Sequence, residues 1–127
     1  MTTSGYLASI KERLLTDPLV ARFHVLRERS TLTDGYLRGR LTLRDDSQIE
    51  FSEYVQVSSS DQIQVITYSY HWSDAQGNLI RRWDNTPHLP HLPGFPYHIH
   101  DGPAGTVFPS RPVSIFIVLD EIAGICE

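Results

Sequence analysis

The chain has 127 residues and a formal net charge of −4 at pH 7. That length suits one domain able to bury roughly two thirds of the surface its unfolded form exposes. The charge argues against a protein that coats itself in nucleic acid, and no apolar run reaches the length of a membrane span. Met1-Thr2-Thr3-Ser4-Gly5 lacks the basic and apolar regions of a secretory signal, and Cys126 has no intrachain partner, so a cytoplasmic protein is expected.

Residues 4–16 form the first expected helix. Leu7, Ile10 and Leu14 recur at helical spacing, Tyr6 and Leu15 widen the stripe, and Asp17-Pro18 ends it. From Val20 to about Trp72 the period becomes two. Strands are expected at Arg22 to Arg29, Tyr36 to Arg44, Gln48 to Val57, Ile63 to Trp72 and Leu79 to Trp83. The turns between them fall at Leu32-Thr33-Asp34-Gly35, Asp45-Asp46-Ser47, Ser58-Ser59-Ser60-Asp61 and Asp74-Ala75-Gln76-Gly77-Asn78. Leu37, Gly39, Leu41 and Leu43 share one face of their strand, and Ile49, Phe51, Val55 and Val57 share a face that also carries Glu53.

Pro87, Pro90, Pro93 and Pro96 then forbid a regular helix or a central strand. Beyond Pro112, Ile115, Val118, Leu119 and Ile122 return to helical spacing, with Ser114 available as N-cap, while the β-branched run Ile115-Phe116-Ile117-Val118 also fits a strand. The expected class is α+β: an N-terminal helix, an antiparallel meander of about five strands, a Pro/His-rich loop and a C-terminal helix.

Charge is unevenly distributed. Arg22, Arg27, Arg29, Arg38, Arg40 and Arg44 lie between Pro18 and Arg44, followed by Asp45, Asp46, Glu50, Glu53 and Asp61. Arginine suits bidentate phosphate contact, but the alternation of sign reads first as cross-strand ion pairing on a solvated sheet face.

Histidine is concentrated between Trp83 and Asp101, where His88, His91, His98 and His100 stand among the prolines. Imidazole titrates near neutral pH and serves as acid, base or metal ligand. His98 and His100, two apart, point the same way if the backbone is extended. One reading is metal-free cleavage of RNA through its own 2′-OH. It needs a base, an acid and a cation for the charged phosphorane. His98, His100 and His88 would supply the proton transfers and Arg81 or Arg82 the cation. Tyr68, Tyr70, Trp72 and Trp83 would stack on unpaired bases. Another is a metal site built from these histidines with Asp84 or Asp101, although the spacing matches no standard zinc pattern and no cysteines cluster. A third is a non-enzymatic module that binds RNA or protein through a rigid His/Pro loop. Trp72 and Trp83 also read as core residues, and His71 as a hydrogen-bonded structural histidine.

Tyr68-Ser69-Tyr70-His71-Trp72, Asp74, Gly77, then Arg82-Trp83-Asp84-Asn85-Thr86-Pro87-His88, Phe95-Pro96, His98 and His100 together resemble the signature of the TumE family. These are small prokaryotic toxins of type II toxin–antitoxin pairs. The resemblance implies a toxin encoded beside a helix-turn-helix antitoxin that neutralises it by contact, with RNA as the expected substrate; the metal-free reading of the residues expects no cofactor. The layout is also similar to that of RelE-like ribonucleases, a likeness of fold alone. In the common pattern of the TumE family that this chain resembles, many members carry paired histidines where His88-Leu89 and Tyr97-His98 stand here. That departure leaves His71, Arg82, Asp84, His88, His98 and His100 as the catalytic candidates, with Arg81, Trp83, Tyr70 and Trp72 toward the substrate.

Overall fold

A computed structural model describes residues 1–86 and 96–126. Its elements are α1 (Thr3–Thr16), β1 (Val20–Ser30), β2 (Asp34–Leu43), β3 (Gln48–Val57), β4 (Ile63–Ser73), β5 (Leu79–Asp84), β6 (His98–Asp101), β7 (Val107–Pro109) and α2 (Ile115–Cys126). The strands form one antiparallel sheet in the order β1-β2-β3-β4-β5-β6-β7. Each joins its sequence neighbour, the outcome expected where hairpin turns follow one another. The architecture is α+β, with seven strands among the described residues rather than about five.

The two added strands come from the region after Trp83 that the prolines were expected to keep irregular. β6 starts two residues past Pro96, so no proline interrupts its ladders to β5 and β7. Pro109 ends β7, an edge strand, where a missing N–H on the outer side breaks no ladder. The His/Pro segment before Pro96, with His88 and His91, lies outside the described residues. A smaller difference occurs between β1 and β2. Asp34-Gly35 belongs to the strand, paired with Gln56 and Val55, because Thr31 Oγ1 accepts the N–H groups of Thr33 and Asp34 and tightens the turn one step earlier.

Both helices pack on one face of the sheet. Leu7, Ile10 and Leu14 of α1 and Ile115, Val118, Leu119 and Ile122 of α2 meet Leu37, Leu41, Ile49, Phe51, Tyr70, Trp72 and Trp83 in one core. Thr2 caps α1, its hydroxyl accepting the Gly5 N–H. Within this core lies a carboxylate, that of fully buried Glu53. Its Oε1 accepts from the Tyr6 hydroxyl at 2.6 Å, and its Oε2 accepts from the Tyr70 hydroxyl and the Ile115 N–H, both at 2.7 Å. One side chain of β3 thereby ties α1, β4 and the N-terminus of α2 together, at the helix end that favours negative charge. Burial nevertheless dominates and pushes the Glu53 carboxyl above its usual range, against the hydrogen bonds from Tyr6, Tyr70 and Ile115. Trp83 Nε1 donates to Glu121 at 3.0 Å and Arg13 pairs with Asp120 at 2.6 Å, holding α2 to β5 and to α1.

Candidate functional site

Strand register sets two rows of side chains across the face opposite the helices, called the outer face below. One row runs His24, Arg40, Glu50, His71, Arg82, His100 from β1 to β6. The next runs Arg27, Arg38, Ser52, Ser69, Asp84, His98. Alternation along each strand sends the intervening Leu41, Ile49, Phe51, Tyr70 and Trp83 into the core. The rows therefore converge at β5 and β6 on a carboxylate, two imidazoles and a guanidinium, with a third imidazole one strand away.

Asp84 is the centre of this cluster and is only 2% exposed. Its Oδ2 accepts from Arg82 Nε at 2.8 Å and its Oδ1 from the Thr86 N–H at 3.2 Å. The second bond is a turn contact at the strand end. Directly across the ladder, His98 is also 2% exposed. Its Nδ1 lies 2.8 Å from the Pro96 carbonyl; a carbonyl only accepts, so Nδ1 carries the hydrogen. Nε2 then faces Asp84 Oδ1 at 2.6 Å. Two such atoms meet that closely with a proton between them. His100 Nε2 stands 3.8 Å from Asp84 Oδ2, and its ring meets that of His98 edge-on with centroids 4.9 Å apart.

Asn85 fixes the end of β5. Its side-chain oxygen accepts the Tyr68 N–H at 2.9 Å, and its amide donates to the Ile66 carbonyl at 2.8 Å. The side chain thus extends the β4 ladder beyond the last backbone pair, Ser69 with Asp84, and holds Asp84 in place. An amide offering both donor and acceptor directly after a strand-ending aspartate was the available signal.

His71 and Arg82 pair across β4 and β5. They line a shallow cavity of about 320 Å³ with Tyr36, Arg38, Glu50, Ser52 and Ser69. Partial burial, and next the Arg82 charge, lower the His71 pKa below the ordinary histidine value, Glu50 opposing, so the ring is neutral at pH 7. Larger hollows of about 680 and 490 Å³ lie beside Met1 to Ser4 and between α1 and α2; the second holds Arg13 and Asp17, which pair with each other.

Four of the residues expected to meet substrate lie elsewhere. Tyr70 and Trp83 are wholly buried and Trp72 nearly so. Their polar atoms are bound inside the protein, Tyr70 to Glu53, Trp83 to Glu121 and Trp72 to Ser47. A base has no access to these rings, because their strand positions share parity with the core residues rather than with the site. Arg81 faces the helix side too, its guanidinium 5.8 Å from the Trp83 ring centre and 3.8 Å from Asp101. Of the expected cluster, the outer face brings together His71, Arg82, Asp84, His98 and His100, while His88 falls outside the described residues.

Asp84, His98 and His100 each offer one ligand atom, and these atoms all lie within 4.8 Å of one another. Two imidazoles and a carboxylate are a donor set that divalent zinc or iron accepts. A His98 Nδ1–H turned to a backbone carbonyl is the usual outer support of a metal-bound imidazole.

The fold and the site define a small α+β protein bearing an ionisable cluster on the outer face of its sheet. A comparison with protein families matches residues 10–127 to Toxin TumE, and the chain belongs to that family. Membership implies a toxin of a toxin–antitoxin system, with an antitoxin as partner. Comparisons with curated proteins and with solved structures found no match. No helix among the described residues is long and apolar enough to cross a membrane.

Proposed function

We propose that this toxin is a metal-independent endoribonuclease of the cytoplasm, neutralised by direct contact with a helix-turn-helix antitoxin. The observation that carries the reading is the row His71, Arg82, His100 on three adjacent strands, an imidazole on either side of a guanidinium. With strands about 4.8 Å apart, the two histidine backbones stand about 10 Å from one another. A phosphodiester held by Arg82 between them is within reach of both side chains.

In this scheme neutral His71 takes the proton of the 2′-OH. The 2′ oxygen attacks phosphorus, the P–O5′ bond breaks, and His100 in its charged form gives its proton to the departing O5′. The products are a 2′,3′-cyclic phosphate and a 5′-hydroxyl. Arg82 offsets the charge of the phosphorane. His98, closed in between Pro96 and Asp84, positions Asp84 and supports His100 rather than meeting substrate. In the proton-transfer pair expected of His98 and His100, the more accessible His71 thus takes the place of His98.

Incubating antitoxin-free protein with total RNA, with and without a chelator, tests the scheme. New 2′,3′-cyclic ends that survive chelation support it. The donor set of Asp84, His98 and His100 favours a second reading, a nuclease or hydrolase in which these residues hold a divalent ion that supplies a Lewis acid. Loss of cleavage with chelator, restored by added zinc or manganese, would select that reading. Absence of cleavage in both tubes would select a non-enzymatic binding module.

A further inference from the structure

Among the described residues, the arginines of β1 and β2 meet fewer of the acids that follow them than the sequence order promised. Of the acids that follow, Glu53 is buried on the opposite face. Asp45 accepts from Ser47 in its own turn. Asp46 and Asp61 occupy left-handed turn positions, with φ of 68° and 60°. Glu50 alone among them reaches the arginines, at 2.6 Å from Arg38 and 4.0 Å from Arg40. Register places Arg27 opposite Arg38, Arg29 opposite Tyr36 and His24 opposite Arg40. Like charges directly opposed on one sheet face are destabilising; Glu50 pairs with Arg38, and the further charge of Arg27 opposite it favours an anion on this face. Tyr36 and Tyr54 stand opposite each other on the same face, both part-exposed, with the Tyr54 hydroxyl anchored on Asp34 at 2.9 Å. Although the whole chain carries −4, this face gathers Arg27, Arg29, Arg38 and Arg40 against Asp34 and Glu50.

We propose that the outer face of β1 to β3 is a track for single-stranded RNA leading to the His71–Arg82–His100 row. Arg27, Arg29, Arg38 and Arg40 take the backbone phosphates, and the part-exposed ring of Tyr36 receives an unpaired base. The inference rests on the ribonuclease reading for its destination and on the charge pattern for its course. Four interstrand steps separate β1 from β5, about 19 Å, a span of a few nucleotides. Groove arginines combined with an aromatic platform are the pattern by which proteins hold single strands with little sequence preference.

The test measures binding of a fluorescein-labelled 12-nucleotide RNA by anisotropy, in a salt series. Full-length protein carrying His100→Ala is used so that the probe stays whole. Each phosphate contact to a single strand contributes about −0.7 to the slope of log K against log salt. Arg27→Gln with Arg29→Gln, both at exposed positions, should weaken binding at least tenfold and flatten the slope by about 1.4. Lys11→Gln, which removes one positive charge from the helix side where Lys11 pairs with Glu28, should change neither. Equal weakening by Lys11→Gln would show general charge attraction and overturn the track. So would unchanged binding by the double variant, or no binding at all. RNA bound in the expected way by a wild-type protein that cuts neither this probe nor total RNA would uphold the track and reject the ribonuclease reading.

Discussion

Replacing Glu53 by alanine should destabilise the protein by about 3–5 kcal/mol. The substitution leaves the hydroxyl of fully buried Tyr70 and the N–H of fully buried Ile115 without their acceptor, and it frees the Tyr6 hydroxyl. An orphaned interior donor costs about 1–3 kcal/mol, and the vacated volume adds a cavity penalty of about 24 cal/mol per Å³. With roughly 4 °C lost per kcal/mol in a chain of this size, the melting temperature should fall by about 12–20 °C. Glu53→Gln keeps the shape and an acceptor oxygen and separates charge from packing. Burial raises the folded-state pKa of Glu53 above that of the unfolded chain. The stability this group contributes is therefore fully present below the unfolded pKa, about 4.3, and is lost as pH rises through the folded value. The stability of the glutamine variant relative to wild type should accordingly grow from acid to neutral pH. Thermal and urea unfolding followed by circular dichroism, at acid and neutral pH, measures both effects. A loss under 1 kcal/mol for alanine, or a glutamine gap that shrinks as pH rises, would refute the account of Glu53 as a buried, burial-dominated tie between the layers.

Further expectations concern the site. His100→Ala should lower RNA cleavage by about 10²–10⁴-fold while leaving the melting curve in place; unaltered cleavage by folded protein removes His100 from the chemistry. Asp84→Asn should cost about 1–3 kcal/mol in unfolding experiments, because it replaces a carboxylate that accepts from Arg82 and lies against buried His98. If His71 is the base, the acid limb of the pH–rate profile lies below the ordinary histidine value near 6.5. Arg82→Gln removes one of the two lowering influences, so the limb should move to higher pH as the rate falls about 10²–10³-fold; a limb that stays put excludes His71. Gly102→Ala should destabilise by at least about 2 kcal/mol, since a Cβ there would lie 1.8 Å from the Leu79 carbonyl oxygen, and unchanged unfolding would contradict the close approach of that turn to β5.

Much of this protein was written locally. Period-two alternation placed Leu37, Leu41, Ile49 and Phe51 on one side and Arg38 and Arg40 on the other, and it set Glu53 among the apolar residues where the structure buries it. Helical spacing in Leu7, Ile10 and Leu14, and in Ile115, Val118, Leu119 and Ile122, marked the faces that pack on the sheet. Extended backbone at His98 and His100 aligned two imidazoles, and the residues from Tyr68 to His100 carried the family resemblance. Those properties depend on neighbours in the chain, whose geometry a strand or helix repeats. Only tertiary structure decided which strands lie side by side. Register joined His71 to Arg82 and His100, closed Asp84 against His98, and turned Tyr70, Trp72, Trp83 and Arg81 to the helix side. It also brought Glu50 to Arg38 and Arg40 while turning Glu53 to the opposite face. A shift of one residue in pairing exchanges the two faces of a strand, and composition does not record that choice.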